Sequence, residues 1–135
     1  MKKIILDLCG GTGAWSAPYK EAGYDVRVVT LPEYDVTEVF EPTMSLKMAE
    51  IMELVNSGKV YGILAAPPCT MFSFARTKAV KPRDLELGME TVRACLNIIW
   101  ECQFKLKSPH AKETPLKFWA MENPKGLLKR FMGKP

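Results

Sequence analysis

The chain has 135 residues, 47% hydrophobic and 25% charged, with a formal net charge of +4. That length suits a single domain over residues 1–135, and the composition excludes a disordered or fibrous protein. No apolar run approaches the ~20 residues of a membrane span, and Met1-Lys2-Lys3 leads straight into a strand without a signal-peptide core, so a cytoplasmic protein is expected.

Ile4-Ile5-Leu6-Asp7-Leu8 reads as a short buried strand with one acidic residue near its carboxyl end. Cys9-Gly10-Gly11-Thr12-Gly13 is a glycine-rich turn opening a helix that runs to about residue 22, with Gly23 as its cap. A second strand follows at residues 26–29. Strand, glycine turn, helix and strand within about 30 residues make a βαβ unit of the nucleotide-binding kind. Residues 31–37 then form a loop carrying Glu33 and Asp35. A second helix is predicted over residues 43–57, where Met44, Met48, Ile51, Met52 and Val55 recur near helical spacing and Gly58 closes the element.

Val60-Tyr61-Gly62-Ile63-Leu64 is an uncharged strand that ends abruptly in Ala65-Ala66-Pro67-Pro68-Cys69. Residues 78–83 form a basic connection, after which Asp84 caps a helix to about residue 107, with Leu85, Met89, Val92, Leu96, Ile99 and Trp100 directed at the sheet. Cys95 and Cys102 lie on this helix as small buried hydrophobes. Ser108-Pro109-His110 breaks it. Phe118-Trp119-Ala120-Met121 is a last strand running into Glu122-Asn123-Pro124, and residues 126–132 allow a further helical turn or two. Alternating β and α elements predict an α/β fold, a parallel sheet with helices on both faces.

Three strand ends carry polar or nucleophilic residues, namely Asp7 with the glycine turn, Cys69 and Glu122. Right-handed crossovers in a parallel sheet bring such ends to one edge, where ligands bind. The turn departs from G-x-G-x-x-G and no G-K-[ST] follows it, which favours a nucleoside ligand over a dinucleotide or P-loop nucleotide; a tight turn with no ligand is the plain alternative. Cys69 reads as a buried thiol or as a nucleophile. With His110 as the single histidine a Cys–His hydrolase fits poorly, whereas a carboxyl partner suits thiol addition to an electron-poor ring whose nitrogen that carboxyl group hydrogen-bonds. The four cysteines include no C-x-x-C pair, so neither zinc nor a disulfide framework is expected. Basic residues cluster at Arg76, Lys78, Lys81 and Arg83 and again at Lys125, Lys129, Arg130 and Lys134, either as solvated loops or as contacts for a polyanion.

Asp7-Leu8-Cys9-Gly10-Gly11-Thr12-Gly13, Pro67-Pro68-Cys69-Thr70-Met71-Phe72-Ser73 and Glu122-Asn123-Pro124 resemble, in that order, the D-L-F-x-G-x-G, P-C-Q-x-F-S and E-N-V motifs of the DNA cytosine-5 methyltransferases. The chain looks closest to compact phage-type members. The resemblance implies a Rossmann-like methyltransferase fold that takes S-adenosylmethionine as cofactor, with Asp7, Gly10, Gly11, Gly13 and Pro67 around it. Cys9 stands where the family has phenylalanine, Asp35 would take the adenine amino group, and Glu33 would serve the ribose because Leu31 occupies the usual acidic position. By the same resemblance Cys69 adds to C6 of a cytosine flipped out of DNA, Glu122 holds its N3 edge, and C5 attacks the sulfonium methyl group. Pro68, Phe72 and Ser73 would shape the catalytic loop, Asn123 would hold that loop or the carboxylate, and Arg76 with the basic clusters would contact phosphates.

Family members continue past the E-N motif with further strands and a target-recognition region. The last strand of this chain would therefore leave a parallel edge for a complementing chain or a second copy to cover. Neither a membrane nor a metal is an expected partner. Two alternatives are a non-catalytic S-adenosylmethionine- or nucleoside-binding module, or part of a split enzyme, and a Rossmann-like protein in which Cys69 is structural.

Overall fold

The computed structural model describes residues 2–67, 85–105 and 116–122. Four strands, β1 (Ile4–Leu8), β2 (Asp25–Val29), β3 (Val60–Ala65) and β4 (Phe118–Met121), lie in the order β2-β1-β3-β4 with every neighbouring pair parallel. β1 is central and buried along its whole length. A parallel strand covered on both faces needs apolar side chains on both, which is why β1 and β3 stand out as unbroken apolar runs.

One face of the sheet presents Leu6, Leu8, Val29, Ile63 and Ala65 to two helices. Met48, Ile51, Met52 and Val55 of α2 (Leu46–Asn56) and Ala94, Cys95, Ile98 and Ile99 of α3 (Leu85–Trp100) complete that core. Each such fully buried aliphatic side chain stabilises by roughly 1.5–3 kcal/mol relative to exposure. Alternate strand residues face the other way. There the Phe118 ring lies over Gly62, which has no Cβ to obstruct it. Tyr19 of α1 (Ala17–Glu21) stacks on Phe118 with centroids 5.8 Å apart, and Tyr24 and Tyr61 close a ring of four aromatics. A five-residue helix cannot hold itself in water. The aromatic ring supplies the tertiary anchor for α1, which lies on this face, opposite α2 and α3.

Several boundaries differ from the sequence expectation. α1 begins only at Ala17, because Gly11 (φ 57°) and Gly13 (φ 79°) are left-handed and cannot continue a helix. The loop after β2 contains a 3-10 turn, Val36–Phe40, capped by Asp35. α2 starts at Leu46, not at residue 43: the Ser45 hydroxyl accepts from Met48 N at 3.3 Å, and the Glu38 carboxylate holds Ser45 through its N–H and hydroxyl at 2.9 and 3.2 Å. Met44 is left outside the helix and exposed. α3 gives way at Glu101–Lys105 to a π-helical turn, and Trp100, expected to face the sheet, is 58% exposed. The inner face follows Val92, Cys95, Ile99 and Cys102, and Trp100 lies off that stripe. Asp84, residues 78–83 and residues 126–132 lie outside the described residues.

Ser45→Ala removes the α2 cap and is expected to lower stability by about 0.5–2 kcal/mol in urea denaturation. Thr43→Ala, at the start that periodicity alone suggests, should change it by no more than about 0.5 kcal/mol.

Candidate functional site

The strand register fixes the site. Val29, Leu8, Ala65 and Met121 form one row across β2, β1, β3 and β4, so the following residues, Thr30, Cys9, Ala66 and Glu122, make up a common rim. Backbone hydrogen bonds extend the ladder one step past the strands: Cys9 N–H donates to Val29 O at 2.7 Å, Ala66 N–H to Leu8 O at 2.9 Å, and Glu122 N–H to Ala65 O at 2.8 Å. Two inter-strand steps of ~4.8 Å separate Cys9 from Glu122, roughly 10 Å.

At the end of β1 the chain folds over its own carboxylate. Asp7 is wholly buried, and its Oδ2 accepts from the Ser16 hydroxyl at 2.5 Å, while Oδ1 has no hydrogen-bond partner. A Cβ on Gly10 would overlap the Asp7 carboxyl group, so the turn can close only with glycine at that position. Gly13 N–H donates to Gly10 O at 2.9 Å, and Gly11 N–H donates to Thr30 Oγ1 at 3.2 Å, tying the turn to the end of β2. Burial pushes the Asp7 carboxyl above its ordinary value, and the Ser16 hydrogen bond only partly opposes this.

Left-handed conformations at Cys9 (φ 60°), Gly11 and Gly13 alternate with Gly10 and Thr12. The N–H groups of all three left-handed residues are taken up within the protein, by Val29 O, Thr30 Oγ1 and Gly10 O, so the alternation closes the turn on itself and against the end of β2. Beside it, Cys9, Thr30, Leu31, Tyr34, Asp35, Val36 and Thr91 enclose a cleft of about 110 Å³ between the ends of β1 and β2 and α3. Its walls combine apolar surface with the hydroxyl-bearing side chains of Thr30, Tyr34 and Thr91 and the Asp35 carboxylate. Asp35 Oδ1 accepts from Thr37 N at 3.0 Å and from Thr37 Oγ1 at 2.6 Å, which fixes the carboxylate at the cleft and leaves Oδ2 as its remaining acceptor.

The structure thus brings Cys9 and Asp35 into one cleft, with Gly10, Gly11 and Gly13 forming the turn beside it. Asp7 supports that turn from behind, on the α1 side of the sheet. Glu33 is exposed and forms no part of the cleft wall. Pro67 is buried just past β3, and Glu122 is exposed at the end of the adjacent β4. Pro68, Cys69, Phe72, Ser73, Arg76 and Asn123 lie outside the described residues.

Sequence reasoning missed Ser16, Thr30, Tyr34 and Thr91. Thr30 had a usable signal, a hydroxyl in the first position after β2. Ser16 and Thr91 carry none, since their roles depend on where a turn and a distant helix come to rest.

Among the described residues no helix is long and apolar enough to cross a membrane, and no group of three or more His, Cys, Asp or Glu side chains is placed to hold a metal ion. No protein-family model, no curated protein and no solved structure matches the chain.

Because its folded value is raised, Asp7 favours the folded state in its protonated form, and that contribution is lost as pH rises above the ordinary aspartate value of about 3.9 and through the raised one. Asp7→Asn stays neutral and keeps an acceptor for Ser16. The melting temperature of the variant relative to the parent should therefore climb as pH rises from about 4, whereas a constant difference would rule out a buried, ionising Asp7.

Proposed function

We propose that the chain is the catalytic core of an S-adenosylmethionine-dependent DNA cytosine-5 methyltransferase of Rossmann-like fold. The observation that carries this reading is the order of the strand ends. The turn and cleft of a nucleoside-type site end β1 and β2, while the strands leading into Pro67-Pro68-Cys69 and Glu122-Asn123 are immediate neighbours, joined from Gly62↔Phe118 to Ala65↔Met121.

The residues of the cleft fit the proposed cofactor. The glycine turn at Gly10, Gly11 and Gly13 has no side chains to obstruct a close approach by the amino-acid portion of the cofactor. Asp7 Oδ1, buried and unpartnered, suits an ammonium group beyond Gly10. Leu31, Tyr34 and Val36 offer apolar surface for a purine, with Asp35 Oδ2 as acceptor for its amino group and Thr30 near its sugar. Thr30 replaces Glu33 in that last role, since Glu33 stands away from the cleft. When bound, S-adenosylmethionine supplies an electrophilic methyl group.

In this reading the Cys69 thiolate adds to C6 of the cytosine, and the ring electrons move towards C5 and N3. Glu122, in its protonated form, donates a hydrogen bond to N3 and stabilises that charge, a role open to a carboxyl group at the rim of β4. After methylation of C5, loss of the C5 proton to a base allows elimination of Cys69 and restores the aromatic ring. The target base must leave the duplex to be attacked by a protein thiol, at a cost of a few kcal/mol. Basic clusters around residues 76–83 and 125–134 supply charge for the phosphates.

The test is covalent trapping with S-adenosylmethionine and an oligonucleotide containing 5-fluorocytosine, read by intact-protein mass. A protein–DNA adduct is expected, absent in Cys69→Ala. Glu122→Gln should form it about 10²–10⁴-fold more slowly while still binding cofactor. Cofactor binding without any adduct would point instead to a non-catalytic binding module or to one part of a split enzyme.

A further inference from the structure

The strands enter the sheet along a rim whose charge differs from that of the rim they leave by. Lys2 and Lys3 precede β1, Lys59 precedes β3 and Lys117 precedes β4, and all four are exposed. The opposite rim, Thr30, Cys9, Ala66 and Glu122, carries no cation. The ladder sets the lysines side by side. Ile4 pairs with Val60, so Lys3 and Lys59 enter their strands one inter-strand step apart, ~4.8 Å. Gly62 pairs with Phe118, and Lys117 N–H donates to Tyr61 O at 2.7 Å, which sets Lys117 one strand further along. The one acidic side chain in this row, Asp25 at the start of β2, is held by Arg27 at 2.8 Å. Glu21 and Glu53 lie outside it, on α1 and α2.

Aromatic rings stand among these cations. Lys3 Nζ lies 4.6 Å from the Tyr61 ring centroid, and the Tyr24 and Phe118 centroids are each 6.0 Å from that of Tyr61. All three rings are half-buried, so each keeps part of its surface in solvent. Two hollows open between rings and cations. Lys3 and Tyr24, with Ala22 and Gly23, surround one of about 210 Å³. Lys117 and Phe118, with Gln103, Leu116 and Trp119, line one of about 290 Å³. Cations beside aromatic faces combine the two contacts that a single nucleic-acid strand offers, phosphates for the ammonium groups and base faces for the rings. An anionic membrane is the poorer match, because it takes up exposed apolar side chains and these rings pack against one another.

We propose that the amino-end rim of the sheet, with Lys3, Lys59 and Lys117 set around Tyr24, Tyr61 and Phe118, is a binding surface for single-stranded nucleic acid. The lysines neutralise phosphates and release counterions, and the rings and hollows receive bases. This rim is separated from the cleft by the length of a five-residue strand, about 17 Å. It is therefore distinct from the proposed site of methyl transfer and stands whether or not the chain transfers methyl groups.

The test is fluorescence anisotropy of a labelled oligothymidylate of about 12 nucleotides across a salt series, with the full chain and with the triple variant Lys3→Gln, Lys59→Gln, Lys117→Gln. The slope of log affinity against log salt should become shallower by about 2 in the variant, at ~0.7 for each lysine lost. Arg93→Gln, which removes an exposed cation two residues past the cleft-lining Thr91, should leave the slope unchanged. In the unaltered chain, a ¹H–¹⁵N titration with the same oligonucleotide should give saturable shifts at the Lys3, Tyr24, Lys59, Tyr61 and Lys117 amides. An unchanged slope in the triple variant, or shifts confined to the carboxyl-end rim, overturns the proposal. So do equal shifts at equal affinity with a duplex of the same length. Phosphatidylserine vesicles bound more tightly than the oligonucleotide, and released by the triple substitution, would make the rim a membrane surface instead. Covalent trapping with 5-fluorocytosine reads the methyl-transfer assignment separately.

Discussion

All four strands stop in one hydrogen-bonded row, Val29, Leu8, Ala65 and Met121, and that shared register is the constraint on which the rest of the site depends. A parallel ladder fixes which residues are level with each other, so residues distant in sequence reach the same rim without any loop needing to carry them there. Thr30, Cys9, Ala66 and Glu122 are level because the ladder continues through the Cys9, Ala66 and Glu122 amides. A slip of one residue in β4 would move Glu122 away from the rim and turn Phe118 to the opposite face, away from Tyr19 and Gly62. Packing of the aromatic ring and placement of the carboxyl group are therefore one requirement, because both hold only in the same register.

The second constraint is the buried Asp7 carboxyl group. An uncompensated charge at that depth is costly, and a single hydroxyl hydrogen bond does not offset it. A chain selected only for stability would place a Leu or Val there, as at the neighbouring positions of β1. The surroundings are instead shaped around the carboxyl group: Gly10 leaves room for it, Ser16 orients it, and the start of α1 is delayed to Ala17 so that the turn can close above it. The cost is thus concentrated at one strand end, with glycine geometry built round it.

Much of the architecture was legible because it depends on local pattern. The apolar runs at Ile4–Leu8 and Val60–Ala65 identify buried parallel strands, and the alternation of elements identifies the α/β class. The start of α2 was misplaced by three residues because Met44 fits the apolar period, while the deciding interaction is a cap made by Ser45 and reinforced by Glu38 from the preceding turn. Trp100 looked inward because it is large and apolar, but the sheet-facing stripe of α3 was already filled by Cys95, Ile98 and Ile99. At the site, glycine spacing marked the turn, and the loop after β2 was legible as carrying Glu33 and Asp35; which of the two faces the cleft depends on the turn itself, which sets Asp35 in the wall and leaves Glu33 exposed.

The central claim is that the cleft between β1 and β2 is a nucleoside cofactor pocket. Its most direct test is a ¹H–¹⁵N correlation titration of the full chain with S-adenosylmethionine. Saturable shifts at the Gly10, Gly11 and Gly13 amides together with those of Tyr34, Asp35 and Val36 are the expected result. Saturable shifts confined to other surfaces, or none at all at millimolar cofactor, would contradict the assignment of this cleft and the methyltransferase reading built on it.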